Sequence, residues 1–527
     1  MSRPTINRQT DGKISRSPWI TLAIISCIGL ISMFADTMIL PAIPDFIKDF
    51  KISYNASSWI LASFLITGAV MTPIAGRLSD IYGKKKILLI ILGIYAIGIS
   101  VAAISINFTA LLIARVIQGV GVSMFPIAFG IIRDTFTQEK LAVAQGIFSS
   151  MFSAGAVIGV TVGGTIIKNF GWHATFLVVV PIAIALLTII SKFLYIKVAH
   201  ELSAPISDKN TEFCCRFIHV RNDILLSESI STSNSNIGKN NKSTIDIMGA
   251  ITLSITIISF LVALQLTQTI NAAAAIVLPT VIVFGVAAII SLLFFVRAEK
   301  KTDSPLIDLK LLANKILLPA NIINMVVGIT SLMVVYQTIP ILIRSPQPLG
   351  FGGDALSIAN IQLPYMAISL IVAIASGFIV SRFGNLKPTL SGIIISIVGF
   401  ILLFVAHSTE FLITISLAIL ATGLSLTQIG SINIVLVSTP KQSNGISLAM
   451  TVLLYLIGTS VGPVIAGIFM QMYQTTIKGI VGSFPASQSY NLIFITAILM
   501  SMVSIVLFTV INKRTAKSID GSIINTP

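Results

Sequence analysis

The sequence predicts an all-α polytopic membrane protein, and three observations carry that prediction. Of the 527 residues, 55% are hydrophobic and 10% are charged, against about 25% charged in an average soluble domain. The apolar residues gather in fourteen blocks, each near the ~20 residues a helix needs to span a bilayer: roughly 19–44, 57–79, 86–106, 109–132, 141–167, 174–197, 246–267, 272–297, 316–343, 354–380, 388–406, 410–437, 443–474 and 488–511. Strand-like alternation, the mark of a membrane β-barrel, is missing from them.

Residues 1–18 form a basic tail. The first block is too long for the core of a cleavable leader, and no small-residue cleavage site follows it, so it is read as the first span. Spans 1–6 occupy 19–197. Residues 198–245 contain SISTSNSNIGKNNKST, a composition that cannot bury enough apolar surface to fold alone; a disordered linker is expected. Spans 7 and 8 follow at 246–297, spans 9–14 at 316–511, and a tail at 512–527. Cys27 lies in the first span and Cys214 and Cys215 in the linker, with no metal or disulfide spacing; the adjacent pair is compatible with palmitoylation but has no other support.

Two echoes divide the chain. GRLSDIYGKKK at 76–86 returns as GFIVSRFGNLK at 377–387, with Gly and Lys kept and Asp80 replaced by Ser381. GIFSSMFSAGAVIGVTVGG at 146–164 returns as GISLAMTVLLYLIGTSVGP at 445–463. The offsets, 301 and 299, argue for an internal duplication: two six-helix halves, spans 1–6 and 9–14, with two extra helices between them.

The net charge of +15 is unevenly placed. With the N-terminus inside, inner segments hold 28 of the 34 Lys and Arg, and outer loops hold Lys48, Lys51, Lys168, Arg344 and Lys478. That asymmetry is the positive-inside rule. It places both termini in the cytoplasm of a multi-pass plasma-membrane protein and leaves no basic surface that asks for nucleic acid. His173, His200, His219 and His407 are scattered, without the spacing of a metal site. No P-loop is present, so an enzyme is not expected, nor a metal or cofactor; an ion gradient would drive any work. The expected partners are the bilayer and a small-molecule substrate, with the chain a monomer.

Two charges lie well inside spans: Asp36 in span 1 and Arg115 in span 4. A charge at mid-membrane costs at least ~2.5–3.5 kcal/mol on insertion scales. Counted from the outer ends, both sit ~9–12 Å deep at 1.5 Å per residue, so they are able to pair. A desolvated carboxylate favours its neutral form and a neighbouring Arg its charged form; relative movement of the two would load or release a proton. Asp36 could instead stabilise a kink beside Pro41 and Pro44, and Arg115 could snorkel to the surface. Gln118 and Gly119 share the Arg115 face, the first able to hold the guanidinium and the second to admit a neighbouring helix. Gly155, Gly159 and Gly163, with Gly164, and in the second half Gly458, Gly462 and Pro463, give small-residue stripes for close helix packing. Asn324, Tyr336, Gln337, Gln428 and Asn433 are polar residues in apolar context, as suited to interhelical hydrogen bonds as to lining a substrate cavity.

These motifs resemble the major facilitator superfamily. GRLSDIYGKKK, through Gly76, Leu78, Asp80, Gly83, Lys84 and Lys85, resembles its loop 2–3 signature. RVIQGVG at 115–121 is similar to its span-4 signature, and GAVIGVTVGG at 155–164 to its antiporter signature, with Val160 in place of Pro. ADTMILPAIP at 35–44 and GWHATFLVVVP at 171–181 resemble the fourteen-helix drug:proton antiporters, with His173 where Arg is usual. The resemblance implies a major facilitator fold and proton-coupled efflux of small amphipathic or apolar compounds by alternating access. It also implies a latch, in which Asp80 meets the cytoplasmic end of span 13 while Gly76 and Gly83 allow close approach, and a span-5 seam that seals the pathway. A uniporter or symporter for one metabolite, or a transporter-derived sensor with the linker as its output, stays open.

Overall fold

The computed structural model describes residues 16–136, 138–193, 247–267, 274–302, 309–439, 444–477 and 482–523; the 198–245 linker, with Cys214 and Cys215, lies outside the described residues. Nearly all of the described chain is helical, as composition predicts. Among the described residues, twelve helical segments are long and apolar enough to cross a membrane, where the sequence predicts fourteen. The two others are α7 (Gln138–Phe170) and α9 (Ile247–Leu266), the second counted only as a shorter apolar helix, Met248–Leu264.

Local sequence explains where the helices begin and break. Span 1 is α1 (Arg16–Thr37), a 3-10 turn at Leu40–Ala42, and α2 (Ile43–Asp49). Pro41 and Pro44 cannot donate backbone hydrogen bonds, so the helix breaks there. Helices α3 (Tyr54–Tyr82), α5 (Phe108–Gly119), α14 (Ala355–Phe383) and α16 (Glu410–Val437) start beneath side-chain caps. Ser53, Asn107, Asp354 and Thr409 accept from Ala56, Ala110, Ser357 and Leu412 N–H at 3.1, 2.8, 2.8 and 3.3 Å. All four caps lie on one face of the bundle, here called the Asp45 face. On the opposite face, α3 and α14 end at Gly83 and Gly384, whose φ values of 94° and 72° only glycine adopts without strain. These are the glycines of the echoed phrase, and α4 (Lys84–Ala103) and α15 (Leu386–Val405) follow them.

The remaining spans are α6 (Met124–Thr135), continuing α5; α8 (His173–Phe193); α10 (Ala274–Lys301); α12 (Leu317–Ser331) running through a π turn at Leu332–Thr338 into α13 (Ile339–Arg344); α17 (Asn444–Met472); and α18 (Ser487–Ile523). The short α11 (Leu309–Leu312) precedes α12, and a two-stranded hairpin, β1 (Gln474–Thr476) with β2 (Ser483–Pro485), precedes α18.

The halves meet along two lines, α7 against α14 and α3 against α17. The first is filled by a core in which Ala156 and Val160 join Ile358, Ala359 and Tyr365. The second is covered by the extra hairpin: Leu253, Ile257 and Leu261 of α9 and Phe295 of α10 pack with Ala62 and Ile66 of α3 and Met450 and Leu453 of α17. The outer surface of α10 exposes Ile282, Val283, Ile289 and Phe294, a face suited to acyl chains.

The two halves repeat one packing register. Cβ atoms added at Gly155, Gly159 and Gly163 would run into the carbonyl oxygens of Leu30 and Phe34 on α1 and of Met38 directly after it. At Gly458 and Gly462 they would meet those of Met325 and Ile329 on α12. The glycine stripes therefore bind α7 to α1 and α17 to α12, each within its own half. Gly164 alone of the predicted first-half set faces the other half, against Ala355 and Ala359. Pro463 is buried inside α17 beside Gly462.

Candidate functional site

Arg115 is 1% exposed at the centre of the first half. Its Nε donates to Ile60 O at 3.0 Å, Nη1 to Gln118 Oε1 at 2.9 Å, and Nη2 to Asp36 Oδ1 at 3.1 Å. The guanidinium carbon lies 4.4 Å from the centre of the Phe64 ring. Gln118 passes the arrangement on, donating Nε2 to Gly98 O at 3.2 Å. A Cβ on Gly119 would strike Phe64 O, so α5 and α3 touch backbone to backbone. Each guanidinium nitrogen thus has a partner and the group does not reach for the surface, while Asp36 keeps a quarter of its side chain accessible. The arrangement can hold a charge inside the membrane and leave part of the Asp36 side chain accessible.

The second half has the same backbone without the charges. Gly98 faces Gln118 as Gly399 faces Leu420, and Gly121 faces Tyr95 as Gly423 faces Ser396. This register, with that of the glycine stripes, puts Val327, Leu417 and Leu420 where Asp36, Arg115 and Gln118 stand. All three are buried.

Across from Asp36 the second half presents phenols instead. Tyr336, in the π turn, lies within Coulombic reach of Asp36. Its hydroxyl donates to Met366 Sδ at 3.7 Å, and its ring stands edge-on to Tyr365 at 6.3 Å. Tyr365 hydrogen-bonds Ser331 at 3.1 Å, and Tyr455 stands beside the Gln428 side chain. Tyr365, Tyr455 and Ser331 escape sequence reading, since single hydroxyls in apolar helices carry no motif. Of the other candidates, Asn324 donates to Thr451 O at 3.4 Å and Gln337 to Ser57 Oγ at 3.1 Å, both buried in helix contacts; Asn433 donates to Ile429 O of its own helix at 2.8 Å.

In the echoed phrase, Lys84 pairs with Asp134 and donates to Gly130 O at 3.2 Å, and Lys85 donates to Ser191 O at 2.9 Å. These bases bind α4 to α6 and α8, beyond any topological role. The expected close approach at Gly76 and Gly83 is not found: Cβ atoms there would meet nothing within 4 Å. Gly83 is needed for its backbone angle, and a tight neighbour does not explain either glycine. The side chains of Asp80 and Ser381 lie outside the described residues.

The Asp45 face carries bonds between the halves that the sequence reading missed. Asp45 of α2 pairs with Arg344 of α13, and Lys168 of α7 reaches Asp354, the cap of α14, at 2.9 Å. Beside them Trp172 Nε1 donates to Asp49 Oδ2 at 2.9 Å. These residues ring a recess of about 290 Å³. Their signal in the sequence is opposite charge in loops of the two halves, which by itself speaks only for topology.

A duplicated bundle of membrane-crossing helices with an ion pair buried among them is the architecture of a membrane transporter. The profile described as Major Facilitator Superfamily matches residues 25–463, and the chain belongs to that family. It is 27% identical over 398 residues to multidrug resistance protein 3 of Bacillus subtilis (strain 168), spanning 75% of this chain and 67% of the relative. It is 25% identical over 470 residues to the multidrug efflux pump LfrA of Mycolicibacterium smegmatis, spanning 87% and 82%. Among solved structures, a bacterial homolog of the human lysosomal transporter Spinster superposes with a TM-score of 0.62 at 13% identity, over 96% of this chain and 98% of that one. The human organic anion transporter MFSD10 superposes at 0.59 and 13%, over 93% and 99%.

Proposed function

We propose that the protein is a secondary transporter that exports small amphipathic or apolar compounds in exchange for protons, with no enzymatic step and no cofactor. One observation carries the reading. The ion pair of the fully buried Arg115 with Asp36, set among membrane-spanning helices, leaves a quarter of the Asp36 side chain accessible. A carboxylate held between desolvation and a guanidinium changes its proton affinity when either moves, and alternating access supplies the movement. Tyr336, Tyr365 and Tyr455 give the space across from Asp36 aromatic walls suited to apolar or cationic compounds. The names of the similar multidrug proteins point the same way.

In this reading the Gly83 face is cytoplasmic, following the positive-inside rule; the protein sits in the cell membrane as a monomer, and the Asp45 face is the exit. The test is efflux of lipophilic fluorescent dyes from energised cells. Efflux that persists unchanged after the proton gradient is collapsed, or after Asp36→Asn, overturns proton exchange.

A second reading, transport of one metabolite without exchange, is favoured by Val160. It stands fully buried where the antiporter signature has Pro. A relative 30% identical over 181 residues is named as the riboflavin transporter RibZ of Clostridioides difficile. Uptake that needs no outward proton flow would select it.

A further inference from the structure

The ninth span is interrupted by the π turn at Leu332–Thr338, with Pro340 just beyond it. Proline has no N–H. In an α register it would leave the Tyr336 carbonyl without a partner; in a π register, the Val335 carbonyl. The backbone therefore loses one hydrogen bond either way, and side chains decide between the registers. Here Gln362 of α14 donates Nε2 to Val335 O at 2.6 Å, and Thr338 Oγ1 donates to Met333 O at 2.7 Å. Both bonds serve the π form.

Two adjacent side chains of this turn look in different directions. Tyr336 meets Met366 and lies within Coulombic reach of Asp36. Gln337, fully buried, crosses to the other half and donates to Ser57 Oγ at 3.1 Å. The side-chain oxygens of Gln337 and Gln362 are buried without hydrogen-bond partners. A bare buried acceptor weakens the arrangement that holds it, and π turns are rare and cluster at functional sites.

We propose that this π turn is a switch that couples closure of the Asp45 face to the position of Tyr336 opposite Asp36. While the face is closed, Ser57 holds Gln337, Gln362 caps Val335, and Tyr336 stays in the central space. When the halves part at that face, the Gln337–Ser57 bond is lost. The turn then rewinds to α register, and Tyr336 swings about 100° around the helix axis, the step of one residue. Gln337 and Gln362 are thus positioning residues that act through Tyr336. The proposal rests on the alternating-access reading above, but its test needs neither substrate nor gradient, so failure of proton exchange would not touch it.

The test uses the full chain in nanodiscs, with Cys27, Cys214 and Cys215 replaced by Ser. One reporter is the rate of maleimide labelling of Ala42→Cys, a fully buried position on the Asp45 face. The other is the rate of disulfide formation in a Tyr336→Cys/Met366→Cys pair. Gln337→Ala is expected to raise labelling about fivefold, the population shift that one buried hydrogen bond gives, and to slow disulfide formation by a similar factor. Ser57→Ala removes the same bond from the other side and should match it, which guards against a misfolded single variant. Pro340→Ala should shift both rates in the same direction as Gln337→Ala, because the restored N–H satisfies the Tyr336 carbonyl left bare in the α register, whereas Val335 O already has Gln362 in the π register. If labelling rises while disulfide formation holds, the two ends are uncoupled and the proposal fails. If neither rate changes in Gln337→Ala and Ser57→Ala, the turn is not the switch.

Discussion

Arg115 Nη2 lies 3.1 Å from Asp36 Oδ1, while the other nitrogens of the same guanidinium are held by Ile60 and Gln118. Arginine is fixed from three sides and aspartate from one, so Asp36 is the partner free to change its state.

The two residues should therefore fail differently when replaced. Asp36→Asn keeps an oxygen for the guanidinium but cannot titrate; it is expected to fold and to lose the response of efflux to an imposed pH gradient. Arg115→Ala leaves a buried carboxylate alone, and breaking such a pair costs about 3–5 kcal/mol. That should appear as a large fall in the detergent melting temperature. Parallel melting curves and vesicle assays separate the two outcomes.

Glycine substitutions should divide by what they touch. Gly163→Val drives a side chain into the Met38 backbone, and overpacking of this kind costs about 1–3 kcal/mol. Gly76→Ala meets open space and should change stability by less than about 0.5 kcal/mol. Thermal unfolding of the purified variants reads both.

Lys168 holds the Asp354 carboxyl at about 2, below its ordinary 3.8, first through its hydrogen bond and then with help from the Ser357 N–H. A carboxylate depressed in this way favours the closed face above pH 3.8 and loses that contribution as pH falls through about 2. Lys168→Ala should raise the carboxyl towards its ordinary value. Infrared titration of the carboxylate band would follow the shift, and an unmoved titration would show that the Lys168 contact is not what depresses it.

Asp80→Ala is expected to impair transport far more than Ser381→Ala, because only the first half of the echoed phrase keeps its acid. Comparing initial efflux rates at equal expression checks this; equal effects would count against a latch at Asp80.

Much of this molecule was legible in the sequence because its signals are local. Gly155, Gly159 and Gly163 recur every four residues, so one face of α7 had to pack closely, although spacing alone did not say that the neighbour would be α1. Asp36 and Arg115 stood out because charge is rare in lipid. The Tyr336, Tyr365 and Tyr455 cluster did not, since phenols on three helices meet only once the second half has folded. Asp45–Arg344 and Lys168–Asp354 were hidden more deeply, each joining residues from different halves. Pro340 removes a backbone donor, but a proline does not say which helical register its neighbours will choose.

The sequence separation of the ion pair also bears on how the protein is made. Asp36 precedes Arg115 by 79 residues, with two whole spans between them. A ribosome feeding this chain into a bilayer delivers the acid first, and the first helix must wait for the fourth before its charge is matched. Early α1 is thus a poorly anchored segment whose retention depends on the prompt arrival of α5. Mutations that slow or weaken that arrival would reduce the amount of protein reaching the membrane, before any question of transport arises.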